Sequence, residues 1–193
     1  SSSATYGFAE LPTKENAEMR PSSPYGLQKL TAEMFMKQFS DMYDIDSVAL
    51  RFFNVYGPGC TGDNPYATAI AAWCDKLKKK MPLRSDGDGE QTRDMVFVTD
   101  VANALVAAAN SSEGGFSFYN VATGTALSNN EILEMLRNFV DDFEVTHAPE
   151  RKGDVKHTLA SIEKINFDLG WSPEYSFRDG LVETLKWWKL IDG

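Results

Sequence analysis

The sequence predicts an α/β fold with mainly parallel strands: the later half of a doubly wound sheet domain plus a small α/β domain. Short apolar strands alternate with amphipathic helices along all 193 residues, and no segment repeats. A doubly wound domain needs two βαβαβ halves, and only the later half can be identified here. The first residues also suit the end of a strand better than the start of a domain. We therefore expect a fragment that lacks on the order of a hundred residues.

The first third of the chain is predicted to hold one long helix between two strands. Residues 1–6 are expected to be the end of a strand, followed by a polar loop over residues 10–19. Ser23 and the proline after it form a helix-start signal, and apolar residues at helical spacing predict a helix over 24–43. Residues 47–53 are predicted to form a short buried strand that ends at a Gly-Pro-Gly turn.

The rest of the chain continues the alternation of strands and helices. Strands are predicted over residues 95–98, 118–121 and 145–148, and helices over 66–80, 100–110, 128–140, 161–170 and from 176 onward. Asp100 and Ser161 are expected to cap their helices, because carboxylate and hydroxyl oxygens accept from the first helical N–H groups. Ser128 and Glu131 form a capping box, and Ser176 opens the last helix.

Composition narrows the classes of function. The formal net charge of −9 argues against nucleic acid or an anionic membrane as the main partner. Cys60 and Cys74 are too few for a disulfide framework, and neither His147 nor His157 begins a metal-binding pattern. No apolar run approaches membrane-spanning length. We expect a soluble, cytoplasmic protein without a metal.

Tyr25 and Lys29 are the first candidates for chemistry. Positions four apart share one face of a helix. A phenol has an ordinary pKa of about 10 and is a poor base at pH 7, but a neighbouring ammonium favours the phenolate. A lone Tyr-x-x-x-Lys is weak evidence, and by itself a helix-surface pair is the simpler interpretation. Ser3 ends a run of hydroxyls upstream, where it can hydrogen-bond a substrate oxygen or be an ordinary polar residue.

The ordered motifs resemble the extended short-chain dehydrogenases/reductases, and most closely their nucleotide-sugar epimerases of the UDP-glucose and UDP-N-acetylglucosamine 4-epimerase type. The resemblance covers nearly the whole chain, and the combination is specific although each piece alone is not. The matching segments are 1–7, 22–26 with Lys29, 51–59, 87–89, 93–94, 120–124, and 151–155 with His157.

The resemblance implies a catalytic set and a cofactor. Ser3 would hold the sugar 4-oxygen, and Tyr25 would be the acid/base. Lys29 would stabilise the phenolate and bind the nicotinamide ribose of NAD, and Phe52 would contact the same cofactor. The glycine-rich phosphate loop of the family is missing from the sequence, so most of the NAD site is expected to be absent.

The resemblance also implies a UDP-sugar site. Asn54 would lie beside the diphosphate, and Arg93 and Arg151 would pair with it, because guanidinium groups bind phosphate in a bidentate way. Surface salt bridges are the alternative for these arginines. Asp154 would accept from a ribose hydroxyl of uridine. Thr158 would line the sugar pocket near the 2-position, where a small residue admits an N-acetyl group.

At the domain level, the resemblance assigns residues 1–60 and 94–123 to a Rossmann-like domain. It assigns 61–93 and 124–193 to a nucleotide-sugar-binding domain. Because relatives dimerise through the helix at 24–43, a homodimer is expected.

The implied reaction is 4-epimerisation: Tyr25 removes the 4-hydroxyl proton while hydride passes to NAD, and hydride then returns to the opposite face of the sugar. Two alternatives stay open. A nucleotide-sugar 4,6-dehydratase places Asp-Glu directly after the active-site hydroxyl, where this chain has Ala4-Thr5. The second alternative is a non-catalytic scaffold on the same fold. The intact set of Ser3, Tyr25 and Lys29 argues against this alternative. The missing half of the doubly wound domain, however, predicts that the chain as given is inactive.

Overall fold

A computed structural model of the chain describes residues 1–62, 68–111, 114–150 and 155–192. Within these ranges the helices are α1 (Pro24–Tyr43), α2 (Ala69–Lys78), α3 (Val98–Ala109), α4 (Asn129–Arg137), α5 (Glu163–Leu169) and α6 (Phe177–Trp188). The strands are β1 (Ser47–Phe52), β2 (Asn54–Tyr56), β3 (Leu83–Asp86), β4 (Thr92–Phe97), β5 (Phe116–Val121), β6 (Ala126–Ser128) and β7 (Val145–Ala148). None of the described helices combines the length and apolarity that a bilayer crossing requires.

The described strands form three small sheets. β1 pairs with β5, β2 pairs with β4, and β3 pairs with β7, all in parallel, while β6 joins β4 in antiparallel fashion. This arrangement confirms the predicted α/β class with mainly parallel strands. The register places Arg51 opposite Asn120 and Asn54 opposite Met95.

Two apolar clusters meet at β4. Met95 and Phe97 belong to a cluster with α2, α4 and α6, whereas Val96 between them belongs to a cluster with β1, β5 and α3. Val96 packs in a different cluster from Met95 and Phe97 because successive side chains of a strand point to opposite faces of the sheet. The second cluster is closed by Trp171, whose indole N–H donates to the Asp100 carbonyl at 3.1 Å. The division into two domains stays a prediction.

The prediction of a strand end at residues 1–6 was largely wrong. Ser3–Thr5 form a short 3₁₀ helix, and only Ser2 pairs with a strand, through one parallel bridge to Phe52. The Ser2 hydroxyl accepts from the Ala4 N–H, and the Thr5 hydroxyl donates to the Ser2 carbonyl. Such local hydroxyl–backbone bonds favour a turn over an extended strand.

The predicted cap at Asp100 was wrong, because α3 begins two residues earlier with Phe97 at the N-cap. In α5 the N-cap position is Ile162, one residue after the predicted Ser161, but the Ser161 hydroxyl accepts from the Glu163 N–H at 3.5 Å. The Asp100 carboxylate instead accepts from the N–H groups of Glu174 and Tyr175 at 3.0 and 3.2 Å. Asp100 therefore anchors the segment before α6 to α3. The caps at Ser23 and Ser176 and the capping box of Ser128 with Glu131 are confirmed.

Boundaries differ elsewhere by a few residues, and three short strands were not predicted. α2 begins at Ala69, and residues 66–67 of its predicted start lie outside the described ranges. α4 ends at Arg137 and not at residue 140. β2, β3 and β6, of three, four and three residues, appear only in the structure.

Candidate active site

Tyr25 and Lys29 lie together in the first turns of α1, as their spacing predicts. The Lys29 ammonium is 5.5 Å from the centroid of the Tyr25 ring, and both residues are half-buried. The helix starts here because the Ser23 hydroxyl accepts from the Gly26 N–H at 3.1 Å and a proline occupies the first helical position. Among the described residues, Lys29 has no carboxylate within ion-pair distance.

The segment that carries Ser3 packs directly against this part of α1. A Cβ atom on Gly26 would stand 2.4 Å from the Ala4 carbonyl oxygen, so only glycine allows the two backbones to approach so closely. Ser3 is half-buried in the 3₁₀ helix. The structure thus brings together the chain segments of the three residues predicted to be catalytic.

A buried ion pair lies one helical turn beyond Lys29. Glu33 is 3% exposed and Arg51 is 1% exposed. Arg51 Nε donates to the two Glu33 carboxylate oxygens at 3.0 and 3.2 Å, and Nη2 donates to Oε2 at 2.7 Å. Because an unpaired charge in the interior is very costly, these two residues stabilise the contact of α1 with β1 only as a pair.

Tyr6 and Asn120 extend this buried network to the N-terminal segment and β5. Arg51 Nη1 donates to the Tyr6 hydroxyl at 2.8 Å and to the Glu15 carbonyl at 3.0 Å. The Tyr6 hydroxyl donates to Asn120 Oδ1 at 2.6 Å. Burial raises the pKa of Tyr6 to about 12, although the neighbouring Arg51 opposes the shift. Four chain segments are therefore held together around one guanidinium group.

The sequence prediction missed this network, although signals for it exist. Arg51 lies between Leu50 and Phe52 in an apolar strand, and a charge in such a strand needs a buried partner. Glu33 follows Lys29 by four residues, on the same face of α1. Nothing local in the sequence indicates that Tyr6 takes part.

Arg93 and Thr158 lie where β4 meets the segment after residue 155. Arg93 Nη1 donates to the carbonyls of Thr92 and Lys156 at 2.9 and 3.0 Å. The Thr158 N–H donates to the Thr92 carbonyl, and its hydroxyl accepts from the Asp94 N–H at 3.3 Å. These bonds join β4, which carries Arg93, to the segment that carries Thr158.

Asp94 organises the turns on either side of them. Its buried carboxylate accepts from the Thr123 N–H and hydroxyl, both at 2.7 Å, and from the N–H groups of Gly124 and Ala160 at 3.0 and 3.2 Å. Burial raises the pKa of the Asp94 carboxyl, and these hydrogen bonds oppose the shift. One side chain thus ties β4 to the turn after β5 and to the segment that carries Thr158.

The remaining predicted site residues divide into two groups. Phe52 and Asn54 are half-buried at the junction where the chain leaves β1 for β2. Arg151 and Asp154 lie outside the described residues. A separate open cleft of about 470 Å³ lies over β5 and α5, and none of the predicted site residues within the described ranges lines it.

Comparison with known proteins agrees with this fold. The sequence profile of the NAD dependent epimerase/dehydratase family matches residues 1–122. The chain therefore belongs to this family. It is 34% identical, over 191 residues, to a protein of Methanocaldococcus jannaschii named a putative UDP-glucose 4-epimerase. That alignment covers 98% of this chain and 61% of the relative.

Two solved structures show the same fold. The UDP-N-acetylglucosamine 4-epimerase of Methanobrevibacter ruminantium M1, in complex with UDP-N-acetylmuramic acid, superposes with a TM-score of 0.92 at 36% identity, over 98% of this chain and 61% of that protein. The UDP-glucuronic acid 4-epimerase of Bacillus cereus, in complex with UDP-glucuronic acid and NAD, gives 0.90 at 29% identity, over 98% and 60%. These matches confirm the Rossmann-like α/β class. The chain spans about three fifths of the length of these relatives.

Proposed function

We propose that the protein carrying this chain is an NAD-dependent nucleotide-sugar 4-epimerase. The observation that carries the proposal is the Tyr25–Lys29 pair on α1, packed through Gly26 against the segment of Ser3. The three relatives described above are named for 4-epimerisation of three different UDP-sugars. What they share is the 4-position of the sugar and the UDP group, and we propose the same chemistry here.

The residues present fit the nicotinamide–ribose end of NAD. Lys29 has an ammonium without a carboxylate partner among the described residues, and Tyr25 lies beside it, so both can contact a ribose hydroxyl. Phe52 at the end of β1 is proposed to contact the same end of the cofactor. The sequence has no glycine-rich phosphate loop. We therefore propose that the 193-residue chain by itself binds NAD weakly and is inactive.

The chain's own residues would handle the proton and the sugar oxygen. Tyr25, as the phenolate, takes the proton of the 4-hydroxyl and later returns it to the oxygen. Lys29 supports this step because its positive charge favours the phenolate. Ser3 donates a hydrogen bond to the 4-oxygen and holds it next to the phenol. Bound NAD would supply the acceptor and donor of hydride at C4.

The substrate is proposed to be a UDP-hexose, in particular UDP-N-acetylglucosamine and UDP-glucose. Arg93 and Arg151 would bind the diphosphate with Asn54 beside it, and Asp154 would accept from the uridine ribose. Thr158 would lie near the sugar 2-position. The carbonyl bonds of Arg93 Nη1 support its part, because they fix the guanidinium beside the segment that carries Thr158.

A homodimer through α1 is also proposed. The helix exposes an apolar stripe made of Leu27, Met34, Phe35, Phe39 and Met42. Residues at this spacing form one face of a helix. A stripe of large apolar side chains in water is typical of a surface that another protein covers.

The experiment is a turnover assay on the full-length protein with NAD and each UDP-sugar, followed by NMR of the product. Inversion at C4 alone supports the proposal. A 4-keto-6-deoxy product, formed by loss of the C6 hydroxyl and the C5 hydrogen as water, would identify a dehydratase. The absence of any product would support the scaffold alternative. Calorimetry of the 193-residue chain with NAD tests the proposal that this chain by itself binds NAD weakly. Micromolar binding would contradict it.

A further inference from the structure

We propose that the buried pair of Glu33 and Arg51 is a positioning device for Tyr25 and Lys29, an inference that rests on the function proposed above. Its role is to keep the Glu33 carboxylate occupied, so that Lys29 stays with Tyr25. Glu33 and Arg51 would act through Lys29 and would touch neither sugar nor cofactor.

The need for such a device follows from the spacing on α1. Tyr25, Lys29 and Glu33 stand at intervals of four residues and therefore share one helix face. Lysine and glutamate four residues apart are within reach of each other and commonly form an ion pair. A Lys29 ammonium held by Glu33 would lie one turn away from the phenol, with its charge neutralised.

The structure shows the carboxylate engaged elsewhere. Glu33 Oε2 accepts from Arg51 Nη2 at 2.7 Å, and Oε1 accepts from Arg51 Nε at 3.0 Å and from the Ser1 hydroxyl. Lys29 lies instead over the ring of Tyr25. The lone pairs that could attract Lys29 are therefore already used.

Arg51 is itself fixed on all sides, so it does not release Glu33. Its Nη1 donates to Tyr6 and to the Glu15 carbonyl, and its Nη2 contacts the Met19 sulfur at 3.2 Å. The guanidinium also stacks on the rings of Tyr6 and Phe118, at 4.9 and 4.5 Å from their centroids. A planar group that is bonded through every nitrogen and contacts two rings has one orientation.

The first test measures the reactivity of the Lys29 amine in the 193-residue chain. Limited acetylation with acetic anhydride is quantified by mass spectrometry at Lys29, with Lys37 on the same helix as the internal standard. Arg51→Gln releases the carboxylate, so Lys29 should react roughly threefold more slowly, because a nearby carboxylate favours the unreactive ammonium. Glu33→Gln leaves the Arg51 cation without its carboxylate, so Lys29 should react roughly threefold faster.

Opposite changes in the two variants separate positioning from a merely structural role. General loosening of the fold would accelerate labelling in both variants and at Lys37 as well. The double variant Glu33→Gln/Arg51→Gln should return Lys29 to within about twofold of the wild-type rate, since both charges are gone. A folded Arg51→Gln chain with an unchanged Lys29 rate would overturn the proposal. If Arg51→Gln does not fold, an unchanged acetylation rate of Lys29 in Glu33→Gln would also overturn the proposal.

The second test links the pair to turnover in the full-length protein. Arg51→Gln should lower kcat by at least about tenfold while KM for the UDP-sugar stays within about threefold, because the acid/base step and not sugar binding is affected. A fall in kcat/KM that comes entirely from a higher KM, with kcat unchanged, would count against positioning. If the wild-type protein does not epimerise any UDP-sugar, the proposed function fails, and the labelling result still decides what the pair does.

Discussion

Gly26 approaches the Ala4 carbonyl so closely that a methyl group at position 26 would stand 2.4 Å from the oxygen. This contact joins the first turn of α1 to the 3₁₀ helix of Ser3–Thr5. The two segments carry Ser3, Tyr25 and Lys29. Their relative position therefore depends on the absence of a side chain at residue 26.

Gly26→Ala tests this contact. We expect the free energy of unfolding to fall by about 1–3 kcal/mol, because overpacking outweighs the gain in helix propensity of up to about 1 kcal/mol. Urea denaturation measures it. Gly114→Ala is the control, since among the described residues a Cβ there would meet only Asp46 Oδ1 at 3.5 Å. The control should stay within about 0.5 kcal/mol of the wild type. Equal stability of both variants would mean that the close approach is not kept in solution.

Tyr6→Phe tests the buried network through its pH dependence. Loss of the hydroxyl removes one of the two acceptors of Arg51 Nη1 and the donor to Asn120 Oδ1, and it should cost about 1–3 kcal/mol of unfolding free energy at pH 7. Burial raises the pKa of Tyr6 from 10.0 to about 12. The folded state therefore favours the neutral phenol. Tyr6 therefore stabilises the fold fully below pH 10, and this stabilisation is lost as the pH rises through the folded-state pKa of about 12.

The stability gap between wild type and Tyr6→Phe should accordingly narrow above pH 10, by at most about 1.4 kcal/mol per pH unit. Chemical denaturation at a series of pH values measures the gap. Tyr43→Phe serves as the control because Tyr43 is exposed on α1. A gap that stays constant or widens above pH 10 would show that Tyr6 is not buried as described.

Local patterns in the sequence were sufficient for the main elements of the fold. The helix that starts at Ser23 and the capping box at Ser128 were predictable because each signal lies within four residues of the element it starts. The Tyr25–Lys29 pair was predictable for the same reason, since helical spacing alone brings the two side chains together.

Features that depend on distant partners could not be predicted. Asp100 looks like a helix cap, but its carboxylate binds N–H groups 74 and 75 residues further along the chain. Tyr6 meets Asn120, which is 114 residues away. β3 and β6 are too short for a strand period to stand out, and both are defined by their pairing with β7 and β4.

Phe35→Glu tests the proposed dimer face. The side chain is 61% exposed in the apolar stripe of α1, so a charge there should abolish self-association without loss of the monomer fold. Analytical ultracentrifugation over a range of concentrations measures the association. Phe167→Glu is the matched control, because Phe167 is 88% exposed on α5, away from the stripe. A wild-type chain that stays monomeric at high concentration would contradict the proposed interface.

Thr158→Tyr tests the proposed sugar pocket in the full-length protein. A large ring near the 2-position should lower kcat/KM for UDP-N-acetylglucosamine by at least about tenfold and leave UDP-glucose within about threefold. Thr158→Val keeps the size and removes the hydroxyl that accepts from Asp94. This control should affect both substrates alike. If Thr158→Tyr leaves the N-acetyl substrate unaffected, Thr158 does not line the pocket.

Tyr25→Phe in the full-length protein tests the central claim most directly. The phenol is proposed to move the proton of the 4-hydroxyl and to contribute little to sugar binding. We therefore predict that kcat falls by at least about a hundredfold while the dissociation constant of the UDP-sugar changes by less than about threefold. Tyr43→Phe on the same helix should match the wild type in both measurements. Retention of more than about a tenth of wild-type kcat in Tyr25→Phe would show that another group is the acid/base.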